Sequence, residues 1–238
     1  MLKKKIKTIL FDLDGTLLPM NENVFTKKYF QALAQKLVPY GYDCDKLIAG
    51  ILKGTSAMIK NDGTQSNEQV FWKTFENIFG ERVYNDKAIF DEFYRNEFQN
   101  LKNYCDCNNN IKQIIKFLKK QNYKLIIASN PVFPLYAQQS RIKWAGLDIE
   151  DFDFISSYEN SHYTKPNINY YKEIIKKFNL KAEECLMIGN NVTEDMVANK
   201  IGINVFLLTD CISNKDNIDI SISPNGDLIQ LENYIKSL

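Results

Sequence analysis

Short runs of β-branched and other apolar residues recur along the chain, and each run ends at polar residues. They predict strands at residues 6–11, 124–128, 152–155, 185–188 and 204–208. Helical periodicity lies between these runs, at about 111–118, 170–178 and 196–201, and this alternation predicts a parallel sheet with helices on both faces. Strands that are apolar at every position fit burial on both faces. The polar stretch 213–226 predicts a surface loop before a last helix at 227–236.

The segment from residue 18 to residue 100 has helical periodicity and no convincing strand. Phe25, Tyr29, Leu33 and Leu37 recur every four residues, and 66–69 has the spacing of a capping box that opens another helix. An all-helical block after the first strand predicts an inserted domain at 18–100, with 1–17 and 101–238 forming an α/β core. We interpret its aromatic stripes as the inner faces of packed helices rather than as an aromatic substrate pocket.

Charge and cysteine content restrict the partners and the location. The 238 residues carry 30 Lys and Arg against 29 Asp and Glu, whereas a nucleic-acid binder usually has a concentrated basic excess. The cluster Lys3-Lys4-Lys5 is therefore interpreted as a solvated N-terminus. No apolar stretch approaches the roughly 18 residues of a membrane span, and the first one ends at Asp12, short of the ~7–15 of a secretory signal. Five cysteines, an odd number, suggest reduced thiols and a cytoplasmic protein.

Composition also restricts the chemistry. His162 is the single histidine, so the chain cannot build a multi-histidine zinc site or a two-histidine acid–base pair. No cysteine is followed six positions later by arginine, so a thiolate nucleophile with an adjacent phosphate-holding arginine loop has no candidate. The glycines form none of the usual nucleotide-binding motifs, and the serine hydrolase elbow is absent. Carboxylates are therefore the expected catalytic groups.

Residues 9–16, Ile-Leu-Phe-Asp-Leu-Asp-Gly-Thr, are the most informative stretch. An apolar strand runs into Asp12 and Asp14, and side chains two positions apart on an extended segment lie on the same side. Parallel sheets bind ligands at the carboxyl ends of their strands. The alternative is an Asp-rich turn that caps a helix. The preceding strand favours a site in which both carboxylates meet one ligand.

Four motifs in the chain resemble those of the haloacid dehalogenase-like superfamily, on its phosphohydrolase branch with a helical cap. The first is 12–16, Asp-Leu-Asp-Gly-Thr, and the second is Ser129-Asn130 at the end of another strand. The third is Lys165-Pro166, and the fourth is the turn 189–195, Gly-Asn-Asn-Val-Thr-Glu-Asp. Their order and spacing agree over nearly the whole chain. The resemblance implies an α/β fold with a Rossmann-like parallel-sheet core and an inserted all-α cap domain.

The resemblance also implies how the two carboxylates of the first motif act. Asp12 would attack phosphorus and use its other oxygen as a ligand of Mg²⁺. Asp14 would protonate the leaving oxygen and then deprotonate the water that hydrolyses the aspartyl-phosphate. The main-chain carbonyl of Asp14 would be a further metal ligand.

The remaining matched residues are expected to hold the phosphate group. Ser129 would hydrogen-bond a phosphate oxygen with Asn130 close by, and Gly15 and Thr16 would belong to the same binding site. Lys165 would offset negative charge on the nucleophile and on the transferred group.

The fourth motif departs from the family pattern. Asn190 and Asn191 occupy the two places where the family usually has its first acidic residue, and Glu194 and Asp195 follow. An amide oxygen can coordinate a hard cation, but it carries no charge. We expect Asn191 and Asp195 to be metal ligands, Mg²⁺ to bind more weakly than in relatives with the usual acid, and Asn191→Asp to tighten it.

These features favour a Mg²⁺-dependent phosphomonoesterase that acts on a small phosphorylated metabolite, without a nucleic-acid or membrane partner. Because Asp14 is retained, a dehalogenase is disfavoured: a halide leaving group needs no proton. A phosphomutase of the same fold and a catalytically weak binding or regulatory protein are the alternatives, the latter supported by the two amides. Substrate identity depends on cap side chains whose positions the sequence does not specify. The sequence does not specify the oligomeric state either.

Overall fold

A single parallel sheet lies at the centre of the computed structural model, which describes residues 6–238. The cluster Lys3-Lys4-Lys5 lies outside the described residues. The strand order is β3-β2-β1-β4-β5-β6, so β1 is flanked by β2 and β4, and the chain changes direction across the sheet at β1. The strands are β1 (Thr8–Phe11), β2 (Lys124–Ile127), β3 (Phe154–Ile155), β4 (Cys185–Gly189), β5 (Asn204–Leu208) and β6 (Asn225–Gly226).

All five predicted strands are present, and every pairing is parallel. The sixth strand corrects the prediction of a loop at 213–226, because Asn225 and Gly226 pair with Leu207 and Leu208. Two residues held by main-chain hydrogen bonds leave no apolar pattern in the sequence. The last helix, predicted at 227–236, spans Leu228–Lys236, and Asp227 is its N-cap, which forms a capping box with Gln230.

Helices surround the sheet and fill the long connection after β1. The α-helices of the described residues are α1 (Glu22–Leu37), α2 (Cys44–Ile59), α3 (Asn67–Phe79), α4 (Arg82–Arg95), α5 (Asn109–Lys120), α6 (Leu135–Trp144), α7 (Ile168–Lys177), α8 (Val192–Asp195) and α9 (Leu228–Lys236). Short 3₁₀ helices are Val38–Tyr40, Glu97–Tyr104, Ile149–Asp151, Ala182–Glu184 and Met196–Ile201. None of the helices within residues 6–238 has the length and apolar character needed to cross a bilayer.

The connection from β1 to α5 is helical, as its periodicity predicts. The capping box of α3 is present: Ser66 Oγ accepts from Gln69 N, and Gln69 Oε1 accepts from Ser66 N. A 3₁₀ helix, Glu97–Tyr104, crosses the predicted boundary at residue 100. The division into a cap at 18–100 and a core at 1–17 and 101–238 stays a prediction.

The two faces of the sheet are both buried, which explains its continuously apolar strands. Successive side chains of β1 point to opposite faces, so Ile9 and Phe11 join one hydrophobic cluster and Leu10 joins the other. The first cluster includes side chains of α5, α6 and α9, and the second includes side chains of α7. This burial fixes the strand ends that carry the polar residues described next.

Candidate active site

Polar residues meet at the carboxyl ends of three neighbouring strands. Asp12 follows β1, Ser129 comes two residues after the end of β2, and Asn190 follows β4. The Asp12 N–H donates to the Ile188 carbonyl at 2.9 Å, so the sheet pairing extends to the first carboxylate. β1 is the strand at which the chain reverses direction across the sheet, the position at which open α/β sheets bind ligands.

The turn after Asp14 brings the first and fourth motifs together. Gly15 has φ +80°, and any Cβ at this position would overlap the side chain of Asn190, so glycine is required on both counts. Thr16 Oγ1 lies 3.0 Å from Asn190 Oδ1 and 3.3 Å from Asp12 Oδ2. The buried Thr16 hydroxyl therefore aligns the Asp12 carboxylate with the Asn190 amide oxygen.

Lys165 is buried between two carboxylates. Its Nζ lies 2.9 Å from Asp12 Oδ1 and 2.6 Å from Asp195 Oδ1. Burial by itself lowers the pKa of Lys165, but Asp12 and Asp195 raise this pKa well above its ordinary value. Lys165 is therefore a cation that fixes and partly neutralises Asp12.

Asp14 is held by Arg141, which lies on α6 and is fully buried. Arg141 Nη1 donates to Asp14 Oδ2, and Arg141 Nη2 donates to Gln138 Oε1 at 2.8 Å. Burial raises the pKa of Asp14 to about 6, against the opposing effect of the guanidinium. The other oxygen, Asp14 Oδ1, is buried without a hydrogen-bond partner among residues 6–238. This oxygen is available to a group that enters from the cavity.

Two predicted metal ligands of the fourth motif have other partners. Asn191 caps α8, and its Oδ1 accepts from Thr193 N and Glu194 N. Asp195 is fully buried, with Oδ1 on Lys165 and Oδ2 accepting from Asn191 N at 2.9 Å. A Cβ at Gly189 would overlap the Asp195 carboxylate. The structure therefore gives the side chains of Asn191 and Asp195 positioning contacts. Asn190, Asn191 and Glu194 line the cavity, whereas Asp195 lies outside the lining.

Glu194 connects the fourth motif to the second and third. Its Oε2 accepts from Asn130 Nδ2 at 3.1 Å, and Asn130 Oδ1 accepts from Lys165 N at 3.3 Å. Burial raises the pKa of Glu194 to about 7, although Lys165 opposes the shift. Asn130 is thus a bridge between Glu194 and the loop that carries Lys165.

A cavity of about 330 Å³ opens above these groups. Its floor includes Asp12, Asp14, Ser129 and Asn130, together with Asn190 and Glu194. Its opposite wall comes from α1–α4, and Phe133 also lines the cavity. Some of the aromatic residues in this wall belong to the stripes that were expected to be internal packing. Internal packing describes Phe75, Phe93 and Phe98, which are fully buried and do not line the cavity. It does not describe the aromatic residues of the same helices that line the cavity.

The predicted substrate-binding residues divide into two groups. Ser129 and Asn130 line the cavity. Gly15, Thr16 and Lys165 are outside the lining and lie behind the carboxylates that they position.

Two residues outside the predicted set bear on this site. His162 lies away from it: its Nδ1 pairs with Glu173 Oε1 at 2.6 Å, and it is outside the lining. Arg141 contacts Asp14. No sequence signal points to this residue, because a charged residue in a helical segment usually faces solvent. Only the packing of α6 brings it to a residue 127 positions earlier.

Comparison with known proteins agrees with this geometry. The family model described as haloacid dehalogenase-like hydrolase matches residues 9–208. The chain is 28% identical over 190 residues to pyrophosphatase PpaX of Listeria welshimeri, covering 79% of this chain and 76% of that protein.

Two solved structures share the fold. YfnB from Bacillus subtilis, bound to magnesium, is 19% identical and has a TM-score of 0.57, with 97% of this chain and 99% of that chain covered. A 2-haloacid dehalogenase from Pseudomonas syringae pv. Tomato DC3000 is 16% identical and has a TM-score of 0.63, with 98% and 99% covered.

Proposed function

Since the chain belongs to the haloacid dehalogenase-like hydrolases, we propose that it is a Mg²⁺-dependent phosphomonoesterase acting on a small phosphorylated metabolite. The observation that carries this proposal is the pairing of two different carboxylates at one cavity. Asp12 is held by the cation Lys165, and Asp14 is a partly buried acid with one buried oxygen free of partners within the described residues. A charged nucleophile beside a proton donor is the arrangement that phosphate ester hydrolysis needs.

In the proposed reaction Asp12 attacks phosphorus and forms an aspartyl-phosphate. Asp14 gives its proton to the leaving oxygen and then takes a proton from the attacking water. Its pKa of about 6 suits both steps near neutral pH. Lys165 offsets charge on Asp12, and Ser129 and Asn130 hydrogen-bond the phosphate oxygens at the cavity floor.

The donors at the cavity floor fit a hard divalent cation. Asp12, Asn190 and Glu194 line the same cavity, and oxygens of Asp12 and Asn190 converge on the Thr16 hydroxyl. No group of three His, Cys, Asp or Glu side chains that could hold a metal occurs within residues 6–238, which agrees with an amide in place of one carboxylate. We propose Asp12, the Asp14 main-chain carbonyl, Asn190 and Glu194 as ligands. Bound Mg²⁺ would offset the charge of the phosphate dianion.

The test is hydrolysis of an aryl phosphate and an alkyl phosphate with Mg²⁺ by the wild type, Asp12→Asn and Asp14→Asn. We expect Asp12→Asn to abolish turnover of both esters, because an amide cannot form the acyl-phosphate. Asp14→Asn should reduce alkyl ester hydrolysis more than aryl ester hydrolysis, because only the poor leaving group needs the proton. Full activity of Asp12→Asn would refute the mechanism, and equal losses with both esters would refute Asp14 as the acid.

Two further activities use the same site. The relatives named pyrophosphatase PpaX make inorganic pyrophosphate a substrate to be tested beside the monoesters. A phosphomutase would transfer the group from Asp12 to a second hydroxyl instead of water, and appearance of an isomeric phosphate ester would reveal it. A cytoplasmic location is part of the proposal, and its basis is that all five cysteines are free thiols.

A further inference from the structure

The charged residues that line the cavity all have the same sign. Among the described residues they are Asp12, Asp14, Glu22, Asp91 and Glu194, and no Lys, Arg or His of the described chain joins them. A substrate with a second anionic group would therefore meet carboxylates and no cation beyond those that serve the transferred phosphate.

Three cations next to lining residues are already paired with carboxylates. Lys165 is held between Asp12 and Asp195, and Arg141 is bonded to Asp14. Lys87 lies over the ring of Trp72 but pairs with Glu68 at 3.2 Å. Lys215 lies outside the lining, and its charge acts to lower the pKa of Glu22. Lys165, Arg141 and Lys87 are therefore engaged by carboxylates of the protein rather than free for a second phosphate or a carboxylate of the substrate.

Aromatic rings dominate the helical wall of the cavity, which also carries the Glu22 and Asp91 carboxylates. It presents the rings of Phe25, Phe30, Phe71, Phe90 and Phe133 with the side chain of Leu52. Three hydroxyl groups in the same wall are engaged: Tyr29 and Tyr94 bond each other at 2.9 Å, and Thr55 Oγ1 donates to the Ile51 carbonyl. A polyhydroxylated leaving group placed against the aromatic rings would lose water contacts that the rings cannot replace.

We propose that the leaving group of the substrate is an uncharged, apolar alcohol of aromatic or branched alkyl type, seated against this wall. The proposal rests on the phosphomonoesterase activity proposed above and assigns its substrate class. A volume of about 330 Å³ lies at the lower end of the roughly 300–1,000 Å³ of small-molecule sites. A single ring or a short branched chain matches that size.

The first experiment compares esters of similar primary alcohols. Wild-type kcat/KM is measured for 2-phenylethyl phosphate, glycerol 3-phosphate and 2-phosphoglycolate, with pyrophosphate and p-nitrophenyl phosphate alongside. We expect 2-phenylethyl phosphate to exceed glycerol 3-phosphate and 2-phosphoglycolate by about tenfold or more. A preference for either polar ester or for pyrophosphate would overturn the assigned substrate class.

The second experiment supplies the missing cation. Leu52 is 54% exposed and lines the cavity, and Ile59 on the same helix is 49% exposed and lies outside the lining. Leu52→Lys should improve 2-phosphoglycolate relative to 2-phenylethyl phosphate by about tenfold, as expected for one new charge pair in a cavity, whereas Ile59→Lys should leave that ratio unchanged. Equal ratios in the two variants would overturn the role of the wall.

Failure of the assigned substrate class and failure of the proposed function give different results in these assays. If p-nitrophenyl phosphate is hydrolysed but polar or anionic esters are preferred, the phosphomonoesterase remains and the apolar substrate class is refuted. If the wild type hydrolyses none of these compounds with Mg²⁺, the proposed function itself is refuted, and the substrate class with it.

Discussion

Asp14 and Arg141 are 127 positions apart in the sequence, and Arg141 Nη1 donates to Asp14 Oδ2 at the candidate active site. Burial favours the protonated carboxyl of Asp14, and the guanidinium favours the carboxylate. The outcome is a pKa of about 6, so both forms are populated near neutral pH. A residue that donates a proton and later accepts one requires this balance.

The first residue-scale prediction concerns the two amides of the fourth motif. Asn190→Asp should lower the Mg²⁺ concentration for half-maximal hydrolysis by about tenfold, an order-of-magnitude figure for one added charge beside a cation. Asn190 Oδ1 accepts from Thr16 Oγ1, which lies 3.3 Å from Asp12 Oδ2, whereas Asn191 Oδ1 accepts two main-chain N–H groups at the start of α8. We therefore expect the effect at Asn190 rather than at Asn191.

Asn191→Asp is the matched control in this Mg²⁺ titration. An Asp at this position keeps the helix cap, so the Mg²⁺ requirement should stay near that of the wild type. A decrease with Asn191→Asp alone would restore the ligand set expected from the sequence, and no decrease with either variant would leave Glu194 as the ligand of this motif.

The second residue-scale prediction concerns Glu194, whose pKa rises from 4.5 to about 7 on folding. The folded state binds this proton more tightly, so the stabilising contribution is complete below the unfolded pKa and is lost as the pH rises through about 7. Without metal, the free energy of unfolding of Glu194→Gln should exceed that of the wild type by about 1–3 kcal/mol near pH 8. Near pH 5 the difference should be smaller.

Denaturant unfolding in EDTA at both pH values measures this difference. Gln keeps the size of the side chain and an oxygen that can accept from Asn130 Nδ2, so the charge is the main change. A difference of the same size at both pH values would mean that Glu194 is not titrating in the folded protein.

At the element scale, the start of α3 ties the helical connection to the loop that leads to Lys165. Asn67 is fully buried, its Nδ2 donates to the Pro131 and Tyr163 carbonyls, and its N–H donates to the Ser161 carbonyl. The neighbouring Glu68 N–H donates to Tyr158. These bonds fix α3 above the carboxyl ends of the strands.

Asn67→Ala should therefore cost more than loss of an ordinary helix cap. It leaves two carbonyls without their donor, and each buried group left unpaired costs about 1–3 kcal/mol. Ser66→Ala, the adjacent control, removes only the capping box bond and should cost about 1 kcal/mol. The measurement is the free energy of unfolding in denaturant. An Asn67→Ala cost no greater than that of Ser66→Ala would contradict the structural role of Asn67.

At the scale of the whole molecule, one hydrophobic cluster runs from the sheet into the helices that follow β1. It contains Ile9 and Phe11 of the central strand as well as Phe25 and Leu47 of α1 and α2. A shared core couples the two parts energetically, so neither part unfolds without exposing apolar surface of the other.

The two tryptophans report on the two parts separately. Trp72 lies on α3 and Trp144 lies on α6. The Trp144→Phe variant keeps only Trp72, and the Trp72→Phe variant keeps only Trp144. For each variant we expect the denaturant curve measured by tryptophan fluorescence to coincide with the curve measured by circular dichroism, as in a single cooperative transition. Separate midpoints for the two probes would show that the helical part unfolds independently.

Local patterns in the sequence were enough to predict five strands of the sheet, the helical connection after β1 and the positions of four motifs. Apolar runs such as 204–208 can be stable only where both faces are covered, and the acidic turn after residue 11 follows directly from the end of such a run. Local signals also sufficed for the capping box at Ser66, because its two partners are three residues apart. Family membership followed from the order of these local features, and the family model confirms it.

Long-range packing determines which side chains line the cavity and what surrounds them. Asn190 and Asn191 both line the cavity, but a single turn of backbone directs one amide oxygen to Thr16 and the other to the start of α8. Arg141 reaches Asp14, and Phe71 lines the same cavity, through contacts between residues far apart in the chain. A helical pattern says which face of a helix is buried, but it does not say what that face is buried against. For this reason the sequence predicts the chemistry at the strand ends, and the packing of the helices determines the shape and charge of the cavity that receives the substrate.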